Sequence, residues 1–220
     1  MEKIPEWFWD EATDANIHES GKGWLYPTED DVRELKNVIC CARRELELQI
    51  YLKEKPQLFM TYMRSGHGNW VFDRPSFGGI YIPDFLLAEG HSGGLSWTYV
   101  ELESPKHTPY LRDGSFSQPL RIAIDQVHDW RGWAANNLNL IRNPKSSDGL
   151  GLFDFQSQAK AIIIIGRRSN YPKRYLDLRV NLKQKENIEV MPWDRFVDHA
   201  NACLNHMGNG KIIIDYTNIE

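Results

Sequence analysis

The chain has 220 residues, of which 41% are hydrophobic and 25% are charged, and its formal net charge at pH 7 is −4. These values are ordinary for a globular protein, and the mild acidity excludes a protein that coats nucleic acid through bulk positive charge, although not one with a local basic groove. The longest strongly apolar run, residues 161–166, is far shorter than the ~20 residues that span a bilayer, so no membrane segment is expected.

The N-terminal residues and the cysteines indicate the cell compartment. Residues 1–6 lack the basic and then apolar order of a signal peptide. The chain has three cysteines, Cys40, Cys41 and Cys203, and an odd number cannot pair completely within one chain. We therefore expect a cytoplasmic protein with reduced thiols.

Residues 1–28 have no clear period and are rich in aromatic and acidic side chains, which predicts an arm packed on a main domain of residues 29–220. A specificity or assembly segment is the alternative for this arm. Thr28 is followed three residues later by Asp31, a pattern that resembles a capping box. Apolar residues then recur at helical spacing, so we expect one long helix that Pro56 ends.

Beyond this helix the pattern changes to strands that alternate with helices. Strands are predicted where aromatic and β-branched residues cluster between turn residues: 69–73, 80–89 and 96–103. A polar loop follows, and the later elements are a helix (120–136), a loop (137–157), a buried strand (159–166), a helix (171–182), a strand (188–191), a helix (193–207) and a strand (212–216). This order predicts one α/β domain with a mixed central sheet flanked by helices.

Three acidic side chains fall on two neighbouring predicted strands. Asp84 follows Pro83 inside the second strand, and Glu101 and Glu103 lie near the end of the next strand. Because side chains alternate along a strand, Glu101 and Glu103 share one side, and Asp84 reaches the same side if the strands pair. Converging carboxylates repel one another unless a cation lies between them, and carboxylate oxygens are ligands that Mg²⁺ prefers. The sequence therefore predicts a Mg²⁺ site, with Mn²⁺ as a substitute.

This pattern resembles the PD-(D/E)xK nuclease superfamily, in which an Asp follows a Pro on one strand and (D/E)-x-K lies on the next. Pro83-Asp84 matches the first element, and Glu101-Leu102-Glu103 matches the second except at the lysine. Over roughly residues 29–200, the chain is similar to the Shedu family of prokaryotic anti-phage nucleases. The segments that carry this similarity are 45–56, 82–85, 100–102, 117–130, 164–167 and 179–181.

The resemblance implies a restriction-endonuclease-like core and a Mg²⁺-dependent endodeoxyribonuclease. Such an enzyme would leave 5′-phosphate ends in DNA, act in defence against phage and form a homo-oligomer. Asp84 and Glu101 would hold the metal together with a backbone carbonyl near Leu102. Two other interpretations stay open: a catalytically degenerate nuclease-fold module that binds nucleic acid or a protein partner, and a toxin-like nuclease that acts on RNA.

Glu103 occupies the position where the resemblance leads us to expect a lysine that positions the attacking water or stabilises negative charge. Three interpretations follow. In the first, Glu103 acts as a general base or as an additional metal ligand. In the second, Lys106 takes over the role of the lysine, because the bend at Pro105 lets it turn back to the site. In the third, the site binds its ligand without catalysis.

Two predicted helices contribute further candidates. Gln126 and Trp130 lie one turn apart, and the resemblance implies that Gln126 points to the metal site or to the phosphate backbone. Core packing is the simpler interpretation for Trp130. Glu45 on the first helix is expected to complete the metal shell, with Glu47 as a competitor because sequence does not define the helix phase to better than a residue or two. An exposed charged face is the alternative for these acids.

Four basic residues follow the predicted central strand, where loops of α/β sheets often meet ligands: Arg167, Arg168, Lys173 and Arg174. They are candidates for contacts to DNA phosphates, and a solvated start of a helix is the alternative. The seven histidines show no zinc-like spacing with the cysteines. No nucleotide-binding glycine motif and no serine-hydrolase elbow is present in the sequence.

Overall fold

The computed structural model describes residues 13–14, 26–63, 68–172 and 176–207. Within these ranges six strands form one sheet in chain order: β1 (Thr13–Asp14), β2 (Asn69–Asp73), β3 (Phe85–His91), β4 (Gly94–Leu102), β5 (Lys160–Ile164) and β6 (Ile188–Met191). The pairs β1–β2, β2–β3 and β3–β4 are antiparallel, whereas the pairs β4–β5 and β5–β6 are parallel. The sheet is therefore mixed, as predicted.

Helices cover both faces of this sheet. They are α1 (Glu29–Cys41), α2 (Glu45–Glu54), α3 (Gln118–Asn136), α4 (Leu138–Arg142), α5 (Leu176–Glu186) and α6 (Trp193–Met207), with 3₁₀ helices at Pro56–Thr61, Lys145–Ser147 and Arg168–Asn170. Successive residues of β5 enter different cores: Ala161 and Ile163 pack on the side of α3 and α5, and Ile162 and Ile164 on the side of α1, α2 and α6. This arrangement confirms the predicted α/β class, with a mixed central sheet flanked by helices.

Several elements match the prediction at their ends. Strands β2 and β6 and helix α6 have the predicted bounds. Thr28 and Asp31 form the predicted capping box, in which each side chain accepts a hydrogen bond from the backbone N–H of the other, at 3.1 and 2.9 Å. Asp31 also accepts from Lys55 Nζ at 2.8 Å and from Gln57 Nε2 at 3.1 Å, so the start of α1 is tied to the chain after α2.

The single long helix predicted for this region is wrong, because the chain breaks between α1 and α2. Ala42 is buried and leaves the helical region with ψ 129°, and Arg44 is extended with φ −131° and ψ 151°. The Glu47 carboxylate accepts a hydrogen bond from the Arg43 backbone N–H at 3.2 Å, which satisfies a donor in front of the new helix. The break makes Glu45 the first residue of α2.

The strand predicted over residues 80–89 begins later, at Phe85. The chain first turns back on itself at Gly78 and Gly79, whose φ values of 64° and 73° favour glycine. Asp84, which was predicted inside the strand, is therefore the residue directly before it. This position at the start of β3 determines how Asp84 meets the neighbouring strand.

Four other predictions differ from the structure or fall outside it. Residues 137–157, predicted as a loop, contain α4 and a 3₁₀ helix, and the helix predicted over 171–182 is α5, which begins and ends later. The predicted strand 212–216 lies outside the described residues, as does the predicted arm except for β1 and the residues just before α1. Across the described ranges, no helix is long and apolar enough to span a membrane.

Candidate active site

Asp84 and Glu101 lie together where β3 begins and β4 ends. Phe85 pairs with Val100 in the antiparallel register, so Asp84 and Glu101 are opposite each other. The backbone N–H of Leu102 donates to Asp84 Oδ2 at 2.8 Å, and the backbone of Asp84 donates to the Glu101 carboxylate. The structure thus brings these two predicted residues together, with the Asp84 carboxylate bound to the backbone of Leu102 and the Glu101 carboxylate bound to the backbone of Asp84.

Glu103 is fixed through both its backbone and its side chain. Its N–H donates to the Ile164 carbonyl oxygen at 2.8 Å, which continues the pairing of β4 with β5 beyond the strand end. Its own carbonyl oxygen accepts from Trp193 Nε1 at 2.8 Å. The carboxylate is buried, and its Oε2 lies 2.9 Å from His107 Nδ1.

The pKa of Asp84 is raised to about 6, chiefly by burial, although the hydrogen bond from Leu102 opposes this shift. The negative charges of Glu45 and Glu103 raise this pKa further, and the positive charge of Arg74 lowers it. Arg74 follows the end of β2, and its backbone N–H donates to the Asp84 carbonyl oxygen at 3.0 Å. The protein therefore disfavours the ionised form of Asp84 relative to its protonated form.

The surroundings of Glu101 also disfavour its ionised form. Only 7% of the residue is exposed, and its pKa is raised well above the ordinary value, first by burial and then by the charges of Asp84, Glu103 and Glu45. The hydrogen bond from the backbone of Asp84 opposes this shift only in part. Binding of a proton or of a metal cation would stabilise a carboxylate in this setting.

His107 and Arg74 are the residues of this site that the sequence analysis missed. Burial raises the pKa of Glu103, partial desolvation raises that of Glu45, which is an exposed residue at the start of α2, and the interaction with His107 opposes both shifts. His107 follows Glu103 by four residues in a loop, where such spacing predicts no contact, and Arg74 approaches through the pairing of β2 with β3. Neither residue therefore carries a recognisable signal in the sequence.

The chemistry of the acids fits a divalent cation. Four carboxyl groups in mutual electrostatic reach have raised pKa values: Glu45, Asp84, Glu101 and Glu103. A hard cation such as Mg²⁺ would relieve their repulsion, with Asp84 and Glu101 as ligands. In the part of the chain that the structure describes, no three His, Cys, Asp or Glu side chains form a ready-made metal site. The metal, and Glu103 and Glu45 as further ligands, stay predictions.

Gln126 and Lys106 are less buried than Glu101 and Glu103. Gln126 is half-buried on α3, one turn before Trp130. Trp130 is buried with its ring centroid 5.5 Å from that of Tyr99, so its predicted core packing is confirmed. Lys106 is exposed, and its backbone N–H donates to Ser104 Oγ at 3.2 Å. Catalytic roles for Gln126 and Lys106 stay predictions.

The predicted phosphate-binding arginines have acidic partners within the protein. The Arg167 guanidinium donates two hydrogen bonds to Asp194, at 3.0 and 2.7 Å, and this pairing lowers the pKa of Asp194. Arg168 donates to Asp194 from its backbone at 2.6 Å and to Asp198 from its side chain. Two candidates of this group lie outside the described residues: Lys173 and Arg174. The contacts tie the chain after β5 to α6, and contact with DNA stays a prediction.

The chain is similar to known proteins in its sequence and in its fold. The family model described as "Shedu protein SduA, C-terminal" matches residues 42–197. A search of curated proteins finds no match. Among solved structures, the chain is similar to the restriction endonuclease FokI bound to DNA, with 11% sequence identity and a TM-score of 0.40 over 82% of this chain. The chain spans 31% of the length of that protein.

Proposed function

This chain belongs to the Shedu family, and on that premise we propose that it is a metal-dependent nuclease that hydrolyses phosphodiester bonds in DNA as part of defence against phage. One observation carries the proposal. Asp84 and Glu101 are held together by backbone hydrogen bonds, while burial and neighbouring acids raise the pKa values of both. Acids perturbed in this way by desolvation and by specific charges are typical of functional sites.

In the proposed mechanism each residue has a separate task. Asp84 and Glu101 would hold Mg²⁺, whose chemistry there would be to make a water molecule more acidic and to stabilise negative charge on the phosphate. Glu103 accepts the proton of the attacking water, whose oxygen bonds to phosphorus as the bond to the 3′ oxygen breaks. The departing 3′ oxygen takes a proton from solvent, so the products carry a 5′-phosphate and a 3′-hydroxyl. Gln126 orients the phosphate backbone.

The test is Mg²⁺-dependent cleavage of linear, nicked and circular DNA by the wild type and by the Asp84→Asn and Glu101→Gln variants. We expect both variants to lose at least about 100-fold in rate, because removing groups that merely support metal ligands already costs about 10- to 100-fold. Glu54→Gln is the control, since it makes the same change of side chain at an exposed residue at the far end of α2 and should leave the cleavage rate unchanged. Cleavage that survives Glu101→Gln would contradict the proposal.

The glutamate at position 103 favours one second candidate, a nuclease-fold module that binds nucleic acid or a protein partner without cleaving it. Titration with Mn²⁺ distinguishes the two functions. Binding that is lost in Asp84→Asn supports the nuclease. No binding, or binding that Asp84→Asn leaves unchanged, supports the module.

DNA as the partner, a homo-oligomeric assembly and a cytoplasmic location belong to the same proposal, and the family resemblance supports them. Parallel assays on DNA and RNA of equal sequence separate this nuclease from one that acts on RNA. Arg167→Ala and Arg168→Ala test the predicted phosphate contacts. Removing one cation that binds a phosphate should reduce the slope of log affinity against log salt concentration by about 1. A slope that stays unchanged would leave these arginines with the structural role that Asp194 indicates.

A further inference from the structure

Glu103 and His107 form a pair in the loop that follows β4. Glu103 Oε2 lies 2.9 Å from His107 Nδ1, and the Glu103 side chain is 11% exposed whereas that of His107 is 40% exposed. The pair therefore joins a nearly buried carboxylate to an imidazole that reaches solvent. It also includes the chain position at which the family pattern has a lysine.

The backbone that carries His107 is held in place by the chain that follows β5. The His107 N–H donates to the Ser104 carbonyl oxygen at 3.1 Å, and the Gly166 N–H donates to the same oxygen at 3.1 Å. Asn170 Nδ2 donates to the His107 carbonyl oxygen at 3.2 Å. A Cβ on Gly166 would lie 2.4 Å from that oxygen, so only glycine permits this close approach. The imidazole is thus presented from a defined position.

Lys106 is the competing cation in this loop. It is exposed, and its described hydrogen bond is made by its backbone N–H to Ser104 Oγ. His107 instead places a ring nitrogen in hydrogen-bond distance of a carboxylate of the site. An imidazole is also short and has few rotatable bonds, so little freedom is lost when it fixes its partner.

We propose that His107 is the positioning residue for Glu103, and that the two together replace the lysine of the family pattern. Donation from Nδ1 fixes the carboxylate that takes the proton of the attacking water. The inference rests on the proposed nuclease function. It assigns no catalytic task to Lys106.

Three variants test this role. His107→Leu removes the donor, whereas His107→Asn keeps an amide donor near the position of Nδ1. His128→Leu is the matched control, because His128 on α3 pairs with Glu186 at 2.8 Å outside the site. For each variant we would measure the rate of single-turnover cleavage at saturating DNA. Fluorescence anisotropy gives the affinity for DNA, and electron paramagnetic resonance gives the affinity for Mn²⁺.

We expect His107→Leu to lower the single-turnover rate by about 10- to 100-fold, the usual cost of removing a supporting partner. DNA and Mn²⁺ affinities should change much less, His107→Asn should recover most of the rate, and His128→Leu should keep it. A rate that His107→Leu leaves unchanged while the wild type cleaves would overturn this inference alone. The inference would also be overturned if Lys106→Ala lowers the single-turnover rate and His107→Leu does not.

Crystal structures of the variants provide a readout that needs no activity. Without its donor, the Glu103 carboxylate should move by about 1 Å or more in His107→Leu, a displacement large enough to impair catalysis, and it should stay in place in His107→Asn. A carboxylate that does not move in His107→Leu would overturn the positioning role. If the wild type cleaves no substrate, the proposed function fails, and the structures still decide whether His107 positions Glu103.

Restoring the lysine gives a second, independent test. In a Glu103→Lys background the family pattern is complete, so His107 has no carboxylate to position. Where Glu103→Lys cleaves, adding His107→Leu should change the rate by less than about 3-fold, because the two substitutions remove the same interaction. An equal loss on removing His107 in both backgrounds would contradict the pairing.

Discussion

Glu101 on β4 and Glu189 on β6 are buried to the same degree in one sheet, at 7% and 6% exposure, but the charges around them have opposite signs. Glu189 pairs with three cations, each at 3.3 Å: Lys160, Lys183 and Arg195. The charges that act on Glu101 come mainly from acids: Asp84, Glu103 and Glu45. The same residue type at the same depth is therefore neutralised by the protein at one position and left under repulsion at the other.

The pKa values follow the neighbours and not the depth. Burial raises the pKa of any carboxyl group because it disfavours the charged form. At Glu189 the three cations outweigh burial and lower the pKa, whereas at Glu101 the neighbouring acids add to burial. The sign of the surrounding charge thus separates an acid that the protein itself neutralises from one that a bound cation would stabilise.

The largest change in stability is expected for Glu189→Gln. The substitution keeps the shape of the side chain but removes the negative charge that three cations share. Breaking a buried ion pair costs about 3–5 kcal/mol, and we expect about 2–3 kcal/mol here because the three cations are partly exposed. Chemical denaturation at pH 7 measures the loss, with the exposed Glu54→Gln as control, and a loss near zero would show that solvent screens the cluster.

Acid should remove the same stabilisation. The pKa of Glu189 lies below its ordinary value of 4.5, so its contribution is complete above pH 4.5 and is lost as the pH falls through the folded-state pKa. We expect the unfolding free energies of the wild type and of Glu189→Gln to converge as the pH falls from 4.5 through the folded-state pKa of Glu189. Curves that stay parallel through this range would mean that Glu189 does not titrate with the predicted partners.

Glu101→Gln should act in the opposite direction in the metal-free protein. The folded-state pKa of Glu101 is raised well above 4.5, so ionisation of this group destabilises the fold as the pH rises from 4.5 through that pKa. In the presence of EDTA we expect Glu101→Gln to gain about 1 kcal/mol at pH 8 and nothing at pH 4. A loss of stability at pH 8 would show that Glu101 has a cationic partner in the protein.

The site residues that could be predicted from the sequence lie on adjacent strands. Pro83-Asp84 and Glu101-Leu102-Glu103 are close in the chain, and an antiparallel pair brings such neighbours together without reference to the rest of the fold. The capping box of Thr28 and Asp31 is local in the same sense. The apolar run that became β5 is recognisable because both of its faces are covered.

The parts that could not be predicted depend on contacts between distant segments. Asp194, which pairs with Arg167, lies 27 residues further along the chain, and no periodicity connects the two. The break after α1 is hidden because apolar residues keep helical spacing through Ala42. The partner of His107 is set by a loop whose backbone is held by the chain after β5, and loops of this kind carry no period.

Two of the cations around Glu189 differ in depth, and the smallest effect is expected for the more exposed of them, Lys183. The Lys183 side chain is 57% exposed, whereas that of Arg195 is 31% exposed and also donates to His199 Nε2 at 3.2 Å. Because solvent and salt screen exposed pairs, Lys183→Ala should cost no more than about 0.5 kcal/mol, and this cost should vanish near 1 M salt. Arg195→Ala should cost about 1–2 kcal/mol and keep most of that cost in salt. Equal costs would mean that the cations act on Glu189 as one network, and that the total charge around a buried acid decides its role more than the depth of any partner.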